Sequence, residues 1–294
     1  MSIAAGAPGW GAWSADPAVI GAVLLSAAGY AGCYRRLARR TGRRYTGHVL
    51  AFGGGLCVVM VALLSPVDEL ADRWLLSAHM LQHVLLADIA PALLVLGIRP
   101  PLLALGLPPA LLRVLSPRAR FGRLLRNRLM APIALGLWAA TQWGWSIPTA
   151  FDFAAAHPLV HAIEHLSLLG SGLLLWTVVV DPLPGSSRRA LWSRLGYLGA
   201  SRAISALVCL PLTWIGTTLY PRYAVGARAY GISALTDQHI AGAAMCLTEF
   251  FVFGVAFVVV FLDLLARDEK ATYLAERASR SAPDATARQP VNAR

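Results

Sequence analysis

The sequence predicts an all-α polytopic membrane protein: a seven-transmembrane-helix bundle with its N-terminus periplasmic and its C-terminus cytoplasmic. Three observations predict it. Of the 294 residues, 57% are hydrophobic and only 14% charged, well under the roughly 25% charged share of soluble domains. Apolar runs of about 20 residues, the length needed to cross a ~30 Å hydrocarbon core, recur seven times. The net charge of +11 sits in short blocks between these runs. That is how topology is written, and with no RNA-binding signature present nucleic acid is excluded as a partner.

Residues 1–16 form a periplasmic N-terminal segment. It lacks a basic n-region, so it does not read as a cleavable signal peptide, and Trp10 and Trp13 suit interfacial anchoring. Spans are expected at 17–34, 46–66, 74–97, 129–147, 158–180, 195–219 and 238–262. The shortest, 129–147, is delimited by a basic run and by Pro148. Of the 26 Lys and Arg, 22 fall in the connections 35–45, 98–128 and 181–194 and in the tail after 262. The other side holds only Arg73, Arg222 and Arg228, and Arg202 lies within a span. Basic loops stay cytoplasmic, which sets the orientation.

The connection 99–128 is expected along the inner membrane surface as a basic amphipathic segment. The transmembrane domain covers 17–265, and the tail 266–294, polar and without a periodic apolar face, is expected to be largely disordered. "FGGGLC" at 52–57 lies inside a span with no following Lys, so it reads as close helix packing and not as a phosphate loop. Cys33, Cys57, Cys209 and Cys246 stand singly in apolar runs and read as small buried hydrophobes, with no disulfide framework. No hydrolase triad or dinucleotide fingerprint is present.

The informative residues are polar ones at a shared depth. "SAHMLQHVLLAD" places His79 and His83 four apart at the start of the third helix, and "AHPLVHAIEHLSLLG" places His157, His161 and His165 four apart at the start of the fifth. Residues four apart share one helix face. "TDQHIAGAAMC" opens the seventh helix with Asp237 and Met245 on one face; His239 points away from Asp237 and is expected in a supporting position. All three helices run inward, so these starts lie at one level near the outer leaflet. Polar groups at that depth are costly and tend to be paired or functional. Packing alone would not need five imidazoles in one layer.

Imidazole suits zinc, copper, iron and nickel, and a thioether shifts preference toward copper. The predicted donors are His79, His83, His157, His161 and His165, with Met245 as a soft contact and Asp237 as charge balance. Glu164 fits best as an acceptor holding an imidazole tautomer. The donors outnumber the needs of one tetrahedral ion, which leaves two ions or a relay between ligand sets. Neutral imidazole ligates, so affinity should fall below about pH 6.5. A membrane oxidoreductase carrying haem or a di-metal centre between the same helices is the alternative, although haem needs only two axial ligands. Arg202 calls for a carboxylate partner, with Asp88 and Glu249 as candidates, and Asp88 stays open between a proton carrier and a counter-ion.

"SAHMLQHVLL", "APALLVLG", "HPLVHAIEH" and "DQHIAGAAM", in that order, resemble the signature segments of the membrane-spanning CtaG family of cytochrome c oxidase assembly factors, over roughly residues 15–265. The resemblance implies an inner-membrane protein that helps insert copper into a haem-copper oxidase without turnover chemistry of its own. Its implied partners are oxidase subunits, a periplasmic copper chaperone and the lipid bilayer. The motifs carry the same roles onto His79, His83, His157, His161, His165, Asp237 and Met245. Two departures stand out: Asp88, where an apolar or small residue is expected, and Cys246, where an aromatic is more usual and a thiol could add a soft ligand.

Overall fold

A computed structural model of the chain describes residues 13–98, 100–127, 129–182 and 191–281. Among these residues every regular element is helical. Six helices are long and apolar enough to cross a membrane, which marks a multi-pass membrane protein. They are α1 (Pro17–Thr41), α2 (Thr46–Leu64), α4 (Leu76–Ile98), α7 (Pro158–Val180), α8 (Leu191–Trp214) and α9 (Ala234–Ser281). The expected span at 129–147 is α5 (Met130–Ser146). Its 17 residues reach about 25 Å at ~1.5 Å per residue, shorter than the rest. Two short helices, α3 (Pro66–Arg73) and α6 (Pro148–Ala156), stand where the sequence suggested only connections.

Local chemistry explains the helix starts. Asp16 caps α1, its Oδ1 accepting from the Ala18 and Val19 amides at 2.7 and 3.3 Å, with Pro17 preset at the first turn. Ser65 and Pro66 do the same for α3, whose first turn carries Asp68 and Glu69 and whose last turn carries Arg73, in accord with its dipole. By contrast, α4 has Leu75 at its cap and no cap of its own. Asp237, in the first turn of α9, supplies one. Its carboxylate accepts from the Leu76 amide at 2.6 Å, the Ser77 amide at 3.2 Å and the Ser77 hydroxyl at 2.6 Å.

Helix α4 is the hub, packing on α2, α3, α7 and α9. Of its apolar stretch 61% is buried inside the protein, against 0% for α1, which flanks the bundle. Along α4, residues Leu85–Ile89 form one wide π turn, in which the Ala90 amide donates to the Leu85 carbonyl. The cause lies next door: Pro91 has no amide hydrogen for the Ala87 carbonyl, so the helix widens. Here α7 comes closest. A Cβ on Gly172 would collide with the Ala87 carbonyl oxygen and the Pro91 ring. Within "FGGGLC", Gly55 makes the anticipated close approach, to Leu94, whereas Gly53 faces open space.

Two expectations are corrected. Cys209 and Cys246 are not separate hydrophobes; they form a disulfide joining α8 to α9, which also removes Cys246 as a free thiol ligand. Helix α9 continues as helix to Ser281, so the stretch 266–281 of the tail is ordered. Its Ala, Glu, Lys and Arg content favours helix without an apolar face, aided by the i,i+4 pair Asp263–Arg267. Residues 282–294 lie outside the described residues, as do Trp10, Arg99, Arg128, Arg188 and Arg189. The basic connection forms two short helices, Pro109–Val114 and Arg120–Leu125, which leave Leu111, Val114, Phe121 and Leu124 exposed.

Two stability tests follow from this packing. Gly172→Ala should cost about 1–3 kcal/mol of stability through overpacking against Ala87, read as a lowered Tm in detergent. Gly170→Ala, at a position with nothing within 4 Å of an added Cβ, should leave Tm unchanged. Asp237→Ala should cost about 0.5–2 kcal/mol through the lost cap, and Asp237→Asn should lose part of it, because one of the two accepting oxygens becomes a donor.

Candidate metal centre

Helices α4 and α7 bring four imidazoles and one carboxylate together. On α4, His79 and His83 are 1% and 3% exposed, with their Nε2 atoms 2.9 Å apart. On α7, the rings of His161 and His165 lie 4.3 Å apart, and His161 stacks on His79 across the interface at 5.5 Å between centroids. The His165 ring is 6.3 Å from that of His79 and 6.2 Å from that of His83. Glu164, 1% exposed, places Oε1 3.2 Å from His83 Nε2 and 4.0 Å from His79 Nε2.

The outer side of His79 is fixed. Its Nδ1 lies 3.2 Å from the Ala71 carbonyl on α3 and 3.2 Å from the Tyr223 hydroxyl, which itself donates to Ala71 at 2.7 Å. With the Tyr223 proton used there, Nδ1–H donates to Ala71, and the Nε2 lone pair is left for the cluster interior. Burial pushes the Tyr223 and Tyr220 phenols up, so both stay protonated as donors. Tyr220 donates to the Ser146 carbonyl at 2.6 Å. The Phe151 ring of α6 packs 4.7 Å from His79 and 4.8 Å from Tyr220. Helix α6 and the segment before α9 that carries Tyr220 and Tyr223 thus wall one side of the cluster.

The inner side is unsatisfied. His161 Nε2, His165 Nε2 and Glu164 Oε2 are buried without hydrogen-bond partners, and Glu164 Oε1, although 3.2 Å from His83 Nε2, is not aligned for a hydrogen bond, against a strong general tendency for such groups to be paired. Two donor triads result, His79/His83/His165 and His79/His161/Glu164, each with its ligand atoms within 4.8 Å of one another. Donors around an ion bound at ~2 Å stand about 3.3 Å apart. Small side-chain adjustments would close either triad, and His79 belongs to both.

The other sequence candidates lie elsewhere. His157 is exposed at the N-cap of α7 in extended conformation (φ −128°, ψ 104°), its Nδ1 2.8 Å from the Phe153 carbonyl. Pro158 is the reason: it starts the helix and forces its predecessor out of it. His239 turns to the Ile215 carbonyl at 3.1 Å. Met245 packs in an apolar cluster with Met80, Phe151 and Cys209. Asp237 is engaged in the α4 cap. Glu164 stands between the histidines instead of behind them.

Sequence reasoning passed over Gln82, whose amide donates to the Ala62 carbonyl at 2.8 Å and to Asp68 Oδ1 at 2.7 Å. The only signal was a polar residue between the two histidines of "HMLQH". Arg202 finds no carboxylate within ion-pair distance among the described residues; its Nη2 donates to the Cys246 carbonyl at 3.4 Å.

Two cavities reach His161. One, about 730 Å³, is lined by Trp13, Asp68, Glu69, Asp72 and Arg222. The other, about 520 Å³, is mainly apolar, runs between α1, α2 and α7, and touches His161 and His165. Asp68 lines both. Burial pushes its carboxyl up to about 6; the Gln82 hydrogen bond opposes this and the Asp72 and Asp16 charges add to it.

The sequence profile of a family described as cytochrome c oxidase caa3 assembly factor matches residues 28–267. Neither a curated protein nor a solved structure gives a match.

The raised Asp68 carboxyl means that the folded protein binds more protons than the unfolded chain between about pH 4 and pH 6. This contribution to stability is therefore present at low pH and is lost as pH rises through about 6. Asp68→Asn keeps an acceptor for Gln82 and removes the titration. It should flatten that slope in thermal unfolding between pH 4 and pH 7, and an unchanged slope would refute the assignment.

Proposed function

Because the chain belongs to the cytochrome c oxidase caa3 assembly factor family, we propose that it binds copper at the α4–α7 histidine cluster and hands it on during oxidase assembly. The observation that carries this is the convergence of His79, His83, His161, His165 and Glu164 with four of their buried polar atoms unpaired. An imidazole-rich, carboxylate-containing set suits a borderline transition metal, and copper is the one an oxidase assembly factor handles. The ion is cargo, and the protein acts by holding and releasing it, without turnover.

In this reading the chain crosses the bacterial inner membrane seven times, with α5 as the short crossing, its N-terminus periplasmic and its C-terminus cytoplasmic. The charge distribution supports this orientation: the end bearing the cluster carries Arg73, Arg222 and Arg228, and the opposite end carries the Arg-rich 35–45 connection. The Cys209–Cys246 disulfide lies in the half of the bundle that holds the cluster, and disulfides persist on the oxidising side. The acidic cleft of Asp68, Glu69 and Asp72 would then receive a cation from a periplasmic copper donor, and oxidase subunits would be the acceptors. A haem reading is less well supported, since His79 and His83 aim their Nε2 atoms at each other from one helix instead of at opposite faces of a macrocycle.

Only neutral imidazole ligates, so protons compete with the metal for the histidines and affinity should weaken as pH falls. The test is metal analysis of the purified protein after copper loading, beside a His79→Ala/His161→Ala double variant. Wild type should retain copper in stoichiometric amount, and the variant should bind at least roughly tenfold more weakly, with reduced oxidase activity in membranes that depend on it. Equal copper retention by both proteins, or a Soret band in the wild type, would defeat the proposal.

A further inference from the structure

Beneath the histidine layer lies a second polar cluster that the copper reading does not use. Asp88, in the π turn of α4, and Glu249, on α9, are both 0% exposed. Neither oxygen of Asp88 has a hydrogen-bond partner, nor does Glu249 Oε1. The Ser205 hydroxyl on α8 donates to Glu249 Oε2. Arg202, one turn earlier on α8, interacts electrostatically with Glu249, and its Nη1 is buried and unpaired. From α5, the indole N–H of Trp138, 0% exposed, is turned toward Asp88 as its nearest donor. The residues that α2 and α7 bring against this turn of α4 are Ala62, Leu168 and Gly172, none titratable.

Two carboxylates against one guanidinium leave one negative charge in excess, in a bundle interior where an uncompensated charge is strongly disfavoured. A cation of charge +1 must balance it. The donors do not suit a metal ion: a hard cation needs about six oxygen ligands, only three carboxylate oxygens are free, and Arg202 repels it. We propose that this buried cluster is a proton-binding site that holds one proton, on Asp88 or Glu249, with internal water satisfying Arg202 Nη1. A buried, polar pocket with several unpaired groups is where ordered water resides. The wide turn matters here, because it resets the helix face after His83 and turns Asp88 into the bundle. The site is independent of the copper reading and stands whether or not the histidines bind metal.

The experiment is infrared spectroscopy of metal-free protein in liposomes at pH 7.5, scored by the C=O stretch of a protonated carboxylic acid and its shift in D₂O. All proteins carry Glu164→Gln, which removes the other buried carboxyl without a partner, and with Asp88 and Glu249 intact one such band should appear. Asp88→Asn and Glu249→Gln each remove the excess charge, so each should abolish it, and Arg202→Gln should increase it about twofold by leaving two carboxyls to neutralise. All three proteins are checked for wild-type helix content, and any one that folds suffices. Absence of the band with Asp88 and Glu249 intact, its persistence in both carboxylate variants, or its replacement by sodium-dependent thermal stabilisation would overturn the proposal.

Discussion

Where α7 crosses α4, the backbone at Gly172 lies against the Ala87 carbonyl that Pro91 leaves without a donor, and both polar layers of the bundle depend on that approach. A side chain at this position would hold the helices apart. The rings of His161 and His165 could then no longer reach His79 and His83, two turns above. The wide turn caused by Pro91 also decides which face Asp88 presents below. One proline and one glycine, on different helices, thus align an imidazole layer and a carboxylate layer along the same seam.

The two layers differ in how they meet the cost of burial. In the upper one, neutral imidazoles keep the cost moderate, and His79 is anchored from outside by Ala71 and Tyr223. In the lower one, formal charges face each other with little direct pairing. Between the layers, α4 is filled by Val84, Leu86 and Ala87, each 0% exposed, so the two polar sets are separated by packed hydrocarbon. The bundle is also polarised end to end. Three carboxylates, Asp68, Glu69 and Asp72, outnumber the two guanidinium groups of Arg73 and Arg222 in the cleft above the histidines, while at the other end guanidinium groups dominate and Arg194 closes on Asp181 at 2.9 Å.

Much of this is legible in the sequence, and the failures have physical causes. Hydropathy finds the helices because hydrocarbon demands continuous apolar length, and the four-residue spacing finds His79, His83, His161 and His165 because it encodes one helix face. The same spacing misleads at His157, where the following proline outweighs it. Asp237 was grouped with Met245 by an eight-residue interval, yet its partners Leu76 and Ser77 lie some 160 residues away, a contact no local pattern can reveal. The Cys209–Cys246 pairing is hidden for the same reason. Glu164 was placed behind the ligands since its register is one residue off the histidine face, a displacement that its side-chain length easily spans.

The cap that Asp237 places on α4 has a consequence for how the protein is made. A chain emerging from the ribosome delivers α4 to the membrane long before α9 exists. Until α9 is inserted, the Leu76 and Ser77 amides beside His79 have no carboxylate to bind, and the first turn of α4 is incomplete. The site end of the hub helix is therefore finished by a helix made 161 residues later, so an interrupted chain that contains all four clustered histidines still lacks the contact that seats the first of them.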